Sequence, residues 1–148
     1  MDRAPQSFPA HPDALPAVLS CVDCCREDID PDTLIRARIA VEELFMNFVR
    51  HARPQGEGES LQAWLEVSCA GGRMDLCFED SASPFDPFAG LDSVLEALEQ
   101  PLELRSEGGV GRLLIRQLAD SASYSRSDGR NRIELLFAPR SRRWLANV

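Results

Sequence analysis

Two adjacent glycines, Gly71 and Gly72, separate two runs of alternating residues at 61–70 and 73–80, and no other feature constrains the fold of this chain as tightly. A Gly-Gly pair suits a two-residue hairpin turn, because the favoured turns of that length need positive φ at their centre. With such a turn Val67 lies opposite Leu76, Leu65 opposite Phe78 and Cys69 opposite Met74, so all six side chains share one face. The pattern therefore predicts an antiparallel hairpin with one buried side. Asp128-Gly129 marks a second hairpin, between strands expected at 122–128 and 131–138.

Between the strands the apolar period changes to that of a helix. Pro31-Asp32 opens a helix predicted to run to about Ala52, ahead of Pro54, Gly56 and Gly58. Leu34, Ala37, Val41, Leu44, Phe45, Phe48 and Ala52 fall on one apolar arc at roughly 100° per residue, which should face a sheet. Arg36, Glu43, Asn47 and Arg50 fall on the opposite side within roughly 60°, bordered by Ile35, Ile39 and Met46. A shorter helix is expected from Asp13 to about Glu27, with Leu15, Val18, Leu19 and Val22 on its apolar side and Asp13 as its cap. Residues 1–12, with three prolines, read as a flexible lead-in or one short edge strand.

After Asp80 a loop with Pro84 and Pro87 precedes a short helix near Asp92–Glu99 and an irregular stretch to Glu107. A third helix should span Gly109 to Asp120, with Val110, Leu113, Leu114 and Leu118 on one side. Helices thus alternate with antiparallel hairpins, which disfavours a parallel doubly wound sheet. The order predicts an α+β chain, a two-layer α/β sandwich whose mixed, mainly antiparallel sheet carries the helices on one face. At 148 residues one domain is expected, over 13–140, followed by a tail at 141–148.

A net charge of −8 disfavours binding to nucleic acid. The apolar stretches are too short for a membrane span, and the start lacks the apolar block of a signal peptide, so no membrane contact and a cytoplasmic location are expected. Of the five cysteines, Cys21, Cys24 and Cys25 cluster without the second Cys/His pair of a zinc site. All five are expected as free thiols acting as small buried hydrophobes.

Three segments can carry chemistry. Gly108-Gly109-Val110-Gly111 opens a helix, where free N–H groups and the helix dipole attract a phosphate, although most Gly-Gly pairs before helices are simple turns. It matches neither the phosphate loop ending in Lys-Ser/Thr nor the dinucleotide fingerprint, since Leu114 stands where the third glycine belongs. Glu43 and Asn47, four apart on one helical face, bring a carboxylate and an amide oxygen together, against the plainer reading of a solvated face. His51, one turn further on, suits packing or capping. Asp80 ends a buried strand, where an acid either binds a ligand or caps the following turn.

Together and in this order, these segments resemble the GHKL ATPase superfamily of gyrase, heat-shock chaperone, histidine kinase and mismatch-repair ATPases. The nearest likeness is to the bacterial anti-sigma-factor serine/threonine kinases, over about Asp13 to Pro139. Val41-Glu42-Glu43-Leu44-Phe45-Met46-Asn47-Phe48-Val49-Arg50-His51-Ala52 is similar to the family's first box, which implies that Asn47 binds Mg²⁺ and that Glu43 is the general base. Asp80 with Pro84-Phe85-Asp86-Pro87 resembles the second box, whose aspartate recognises the adenine amino group. Gly108, Gly109, Val110 and Gly111, followed by Arg112-Leu113-Leu114-Ile115, resemble the third, which wraps the phosphates and anchors a lid. Residues 124–133 are similar to the branch's closing hairpin.

The resemblance implies a Bergerat-type ATP-binding fold, ATP and Mg²⁺ as cofactors, and a homodimer. It also implies kinase activity toward a small anti-anti-sigma (STAS-type) partner, with sequestration of a sigma factor once that partner is modified. One place departs from the pattern: two residues after the aspartate the second box usually has glycine, and here it is Ala82. If that glycine supplies a positive φ, alanine strains the turn by roughly 1 kcal/mol or more. This motivates an alternative, a weakly active or inactive binding module that sequesters a partner. The ATPase half of a histidine kinase is a weaker rival, because the histidines are His11 and His51 alone and no dimerising helical hairpin precedes the domain.

Overall fold

The computed structural model of the chain describes residues 4–91 and 110–140. The helix expected near Asp92–Glu99, the stretch to Glu107, Gly108, Gly109 and the tail at 141–148 lie outside the described residues. The elements run β1 (Gln6–Pro9), a 3₁₀ turn (Pro12–Ala14), α1 (Leu15–Asp23), α2 (Pro31–His51), β2 (Gln62–Ala70), β3 (Arg73–Asp80), α3 (Val110–Leu118), β4 (Ser121–Ser127) and β5 (Arg130–Phe137). The strands form one sheet in the order β1-β2-β3-β5-β4.

Gly71 and Gly72 both adopt positive φ. The β2–β3 register places Val67 against Leu76, Leu65 against Phe78 and Cys69 against Met74, as the turn dictates. Asp128 and Gly129 likewise turn with positive φ between β4 and β5. All four strand pairings are antiparallel, so the parallel component of a mixed sheet is not found among the described residues. Residues 6–9 form the edge strand, with Phe8 buried against β2.

Alternation puts Leu65, Val67, Met74, Leu76, Phe78, Ile133, Leu135 and Phe137 on one face of the sheet, and the helices cover it. The central helix, α2, starts where Asp30 accepts the Thr33 N–H at 3.0 Å and Pro31 fills a position that needs no donor. It buries Ala37, Ala40, Val41, Leu44, Phe45 and Phe48. Phe48 meets Phe78 edge to face at 6.0 Å between centroids, fixing the C-terminal half of α2 over β3.

Four expectations are corrected. Asp13 does not cap α1; its N–H donates to His11 Nδ1, which caps the 3₁₀ turn, and α1 begins later, beside Pro16. In α3, Ile115 is fully buried whereas Val110 is 56% exposed, so the side of the helix that meets the core carries Leu113 and Ile115 and not Val110. Arg36 is buried, donating to Asp32 Oδ2, Leu118 O, Asp120 Oδ2 and Ala138 O, and so ties the start of α2 to the ends of α3 and β5. It stands about 16 Å along the axis from Asn47. Finally, Cys25 and Cys69 form a disulfide instead of remaining thiols, because the α1–α2 connection crosses the buried face of β2 and brings their Cα atoms to 6.4 Å.

Candidate functional site

The site begins at the C-terminal half of α2. Glu43 and Asn47 stand one turn apart, and α3 is pressed against them at Gly111. A Cβ at Gly111 would overlap Glu43 Oε2 and come to 3.8 Å from Asn47 Nδ2, so only glycine allows this approach without displacing the carboxylate. The helix pair and the glycine, separate in sequence, thus meet in space. Val110 is exposed and does not line the cleft beside them.

That cleft, about 720 Å³, opens between α2, β3, the loop after Asp80, α3 and β5. Its volume suits a mid-sized organic ligand. Leu44, Phe48, Phe78 and Ile133 supply apolar wall, and Asn47, Asp80 and Asn131 are set into it. Glu43 is not a lining residue; it lies beside Asn47 against Gly111. Arg50, His51, Arg53 and Arg112 also line the cleft, where Asp80 is the one acid among the described residues. On a chain of net charge −8 this concentrates positive charge where a polyanionic ligand would sit.

Asp80 is in phase with Met74, Leu76 and Phe78, so the strand's alternation carries its carboxylate onto the buried face. It is buried, and that desolvation raises its pKa above the ordinary carboxylate value of 3.8 despite hydrogen bonds from Asn131 and Ala82 and the nearby charge of Arg126. Oδ1 accepts from Ala82 N at 3.0 Å and Asn131 Nδ2 at 2.9 Å, leaving Oδ2 for a ligand. Ala82 is buried but not at positive φ, which Asp128 alone adopts among the described non-glycine residues. The strain that a missing glycine could bring is therefore absent.

Asn131 escaped sequence reasoning. It pairs in register with Asp80 and occupies the buried phase of β5 ahead of Ile133, Leu135 and Phe137. Its Nδ2 donates to Asp80 Oδ1 and Ser83 O, while its Oδ1 accepts from Tyr124 Oη, Arg126 and Phe85 N. One amide therefore fixes both the acid and the loop that follows it. An amide in a phase otherwise apolar was the available signal. Arg112 was also missed: it lies over the Phe85 ring at 5.6 Å and donates to Pro87 O at 3.3 Å, joining α3 to the same loop.

An apolar cleft with one anchored carboxylate inside and arginines around it defines a class, the nucleotide-binding two-layer domains. The family described as the Histidine kinase-like ATPase domain matches residues 8–137, and the chain belongs to it. It is an ATP-binding protein of the GHKL fold. Comparison with the curated proteins found no match. The described residues fit ATP: a purine could place its amino group on the uncommitted oxygen of Asp80, and the arginines offer charge to its phosphates.

Proposed function

We propose that this protein is a Mg²⁺-dependent serine/threonine kinase that phosphorylates a small anti-anti-sigma, STAS-type partner and sequesters a sigma factor once that partner is modified. It acts in the cytoplasm as a homodimer. The observation that carries the reading is the packing of Glu43 and Asn47 on Gly111 at the edge of the cleft. Asn47 holds Mg²⁺, Asp80 accepts a hydrogen bond from the adenine amino group, and Glu43 takes the proton of the partner's hydroxyl as the phosphoryl group is transferred. Positioning supplies most of the rate, as phosphoryl transfer needs little covalent help from the protein. The unstrained Ala82 favours this reading over an inactive scaffold, since the second box keeps the backbone donor that holds Asp80.

The direct test incubates the protein with γ-labelled ATP, Mg²⁺ and the anti-anti-sigma-like domain encoded nearest to it. Label on a serine or threonine of that domain is expected. Tight partner binding with neither label nor calorimetric Mg·ATP binding would replace the kinase by the scaffold.

The base pocket makes a separate prediction. In Asp80→Asn the introduced amide must turn its oxygen toward Ala82 N and Asn131 Nδ2, which leaves its NH₂ facing the cleft. A donor then meets the adenine amino group, and ATP should bind more weakly by roughly 1.5–3 kcal/mol. GTP, whose guanine presents a carbonyl at that edge, should lose little or gain. In the parent chain ATP affinity should fall on acidification at a pH above 3.8, because the raised pKa protonates the acceptor early. Equal losses for both nucleotides would show that Asp80 does not read the base.

A further inference from the structure

A second cluster of reactive groups lies at the other end of the sheet. Ala63 of β2 pairs with Asp80 at the cleft end, whereas Cys69 pairs with Met74 beside the hairpin turn, roughly 20 Å away along the strand. There the Cys25–Cys69 disulfide ties the α1–α2 connection to the sheet. Cys25 is 1% exposed and Cys69 7%, so a reductant in solution has almost no approach to either sulfur. Cys24 is half-buried, is a thiol, and holds its Sγ 3.9 Å from Cys25 Sγ.

We propose that Cys24 is a thiol–disulfide exchange site through which the buried Cys25–Cys69 bond is reduced by small dithiols. In the first step the Cys24 thiolate bonds to Cys25 Sγ as the Cys25–Cys69 bond breaks. The electron pair leaves on Cys69 sulfur, which takes a proton equivalent to the one Cys24 gave up, and no net oxidation occurs. The new bridge joins adjacent residues whose Cα atoms are about 3.8 Å apart across a trans peptide, closer than ordinary disulfides allow, so it is strained and readily reduced. In the second step one sulfur of the dithiol attacks Cys24 Sγ and expels the Cys25 thiolate. The dithiol's other sulfur then releases Cys24, leaving the protein with two more electrons and two more protons and the dithiol as a cyclic disulfide. Cys24 is only partly buried and so is more open to a small molecule than the buried pair.

The remaining sulfurs do not serve this route. Cys21 is buried within α1 and is no more open to a dithiol than the bridged pair. Cys77 lies on the opposite face of the sheet, between Glu66 and Glu134 in register, and burial pushes its thiol up to about 11, which starves it of thiolate.

The test follows reduction of the oxidised full-length protein by dithiothreitol under native conditions, with timed alkylation and mass spectrometry of each cysteine. Prolonged alkylation of the oxidised parent chain under native conditions, before any dithiol is added, should trap a species alkylated at Cys69 and bridged between Cys24 and Cys25, because nothing then consumes the strained bridge. Cys24→Ser should slow native reduction roughly tenfold or more, since exchange rates depend on access to the attacked sulfur, while both proteins reduce equally fast in guanidinium. Cys21→Ser should match the parent. Equal native rates for parent and Cys24→Ser would overturn the proposal. Should Cys24→Ser fail to fold, the parent chain decides alone: the bridged species trapped by alkylation without dithiol supports the relay, and its absence after prolonged native alkylation overturns it.

Discussion

Glu43→Gln should leave ATP binding unchanged and lower phosphate transfer to the partner by roughly 10²–10⁴-fold, the usual contribution of a general base. The two side chains have the same shape, so the amide can occupy the space against Gly111 that the carboxylate fills. Glu43 lies outside the lining of the cleft, and its loss should spare the contacts that hold nucleotide. Binding and chemistry then separate, which calorimetry and single-turnover transfer can read on the same sample. Gly111→Ala gives the complementary perturbation: its Cβ overlaps Glu43 Oε2 and must displace the carboxylate, so transfer should fall with the base chemically intact. A Glu43→Gln variant that loses affinity and rate in equal measure would show that Glu43 serves the fold or the ligand and not the proton.

The parts of this structure legible from sequence were those set by short-range rules. Register in the β2–β3 hairpin follows from a turn of fixed length and a side-chain period of two, and α2 from Pro31 and Asp32 at one end and Pro54 beyond the other. Glu43 and Asn47 share a face because four residues make one turn. What escaped was set at long range. Arg36 belongs to the same helical arc as Asn47, yet α3 and β5 close over it with Asp120, Leu118 O and Ala138 O. Asn131 meets Asp80 only once two hairpins pair through β3 and β5. The Cys25–Cys69 bond joins residues 44 apart in sequence, and the expectation of a reducing compartment argued against it. Composition speaks to a compartment; it cannot tell which two sulfurs the packing of a helix on a sheet brings together.

The same geometry makes Asn47 the residue whose loss should cost binding most. It stands on the cleft wall, one turn beyond Glu43 in a cleft also lined by arginines, where an amide oxygen can join phosphate oxygens around a hard cation. Among the described residues no group of three His, Cys, Asp or Glu side chains could hold a metal ion, so Mg²⁺ at this site would rely on few protein ligands and on the nucleotide itself. Each protein ligand then matters more than it would in a full cage. Asn47→Ala should therefore abolish the Mg²⁺-dependent part of ATP affinity while leaving the fold intact, because the side chain is half-buried at a cleft wall and is not among the core residues. Titrations of parent and variant with ATP, each in Mg²⁺ and in chelator, isolate that part: the parent should bind more tightly with the metal, and the variant should not respond to it. Asn47→Asp keeps an oxygen donor and should keep the response. A circular dichroism melt guards against a trivial loss of structure. Mg·ATP affinity unchanged in the alanine variant would move the metal away from Asn47, and with it the reading of the helix pair as the centre of phosphoryl transfer.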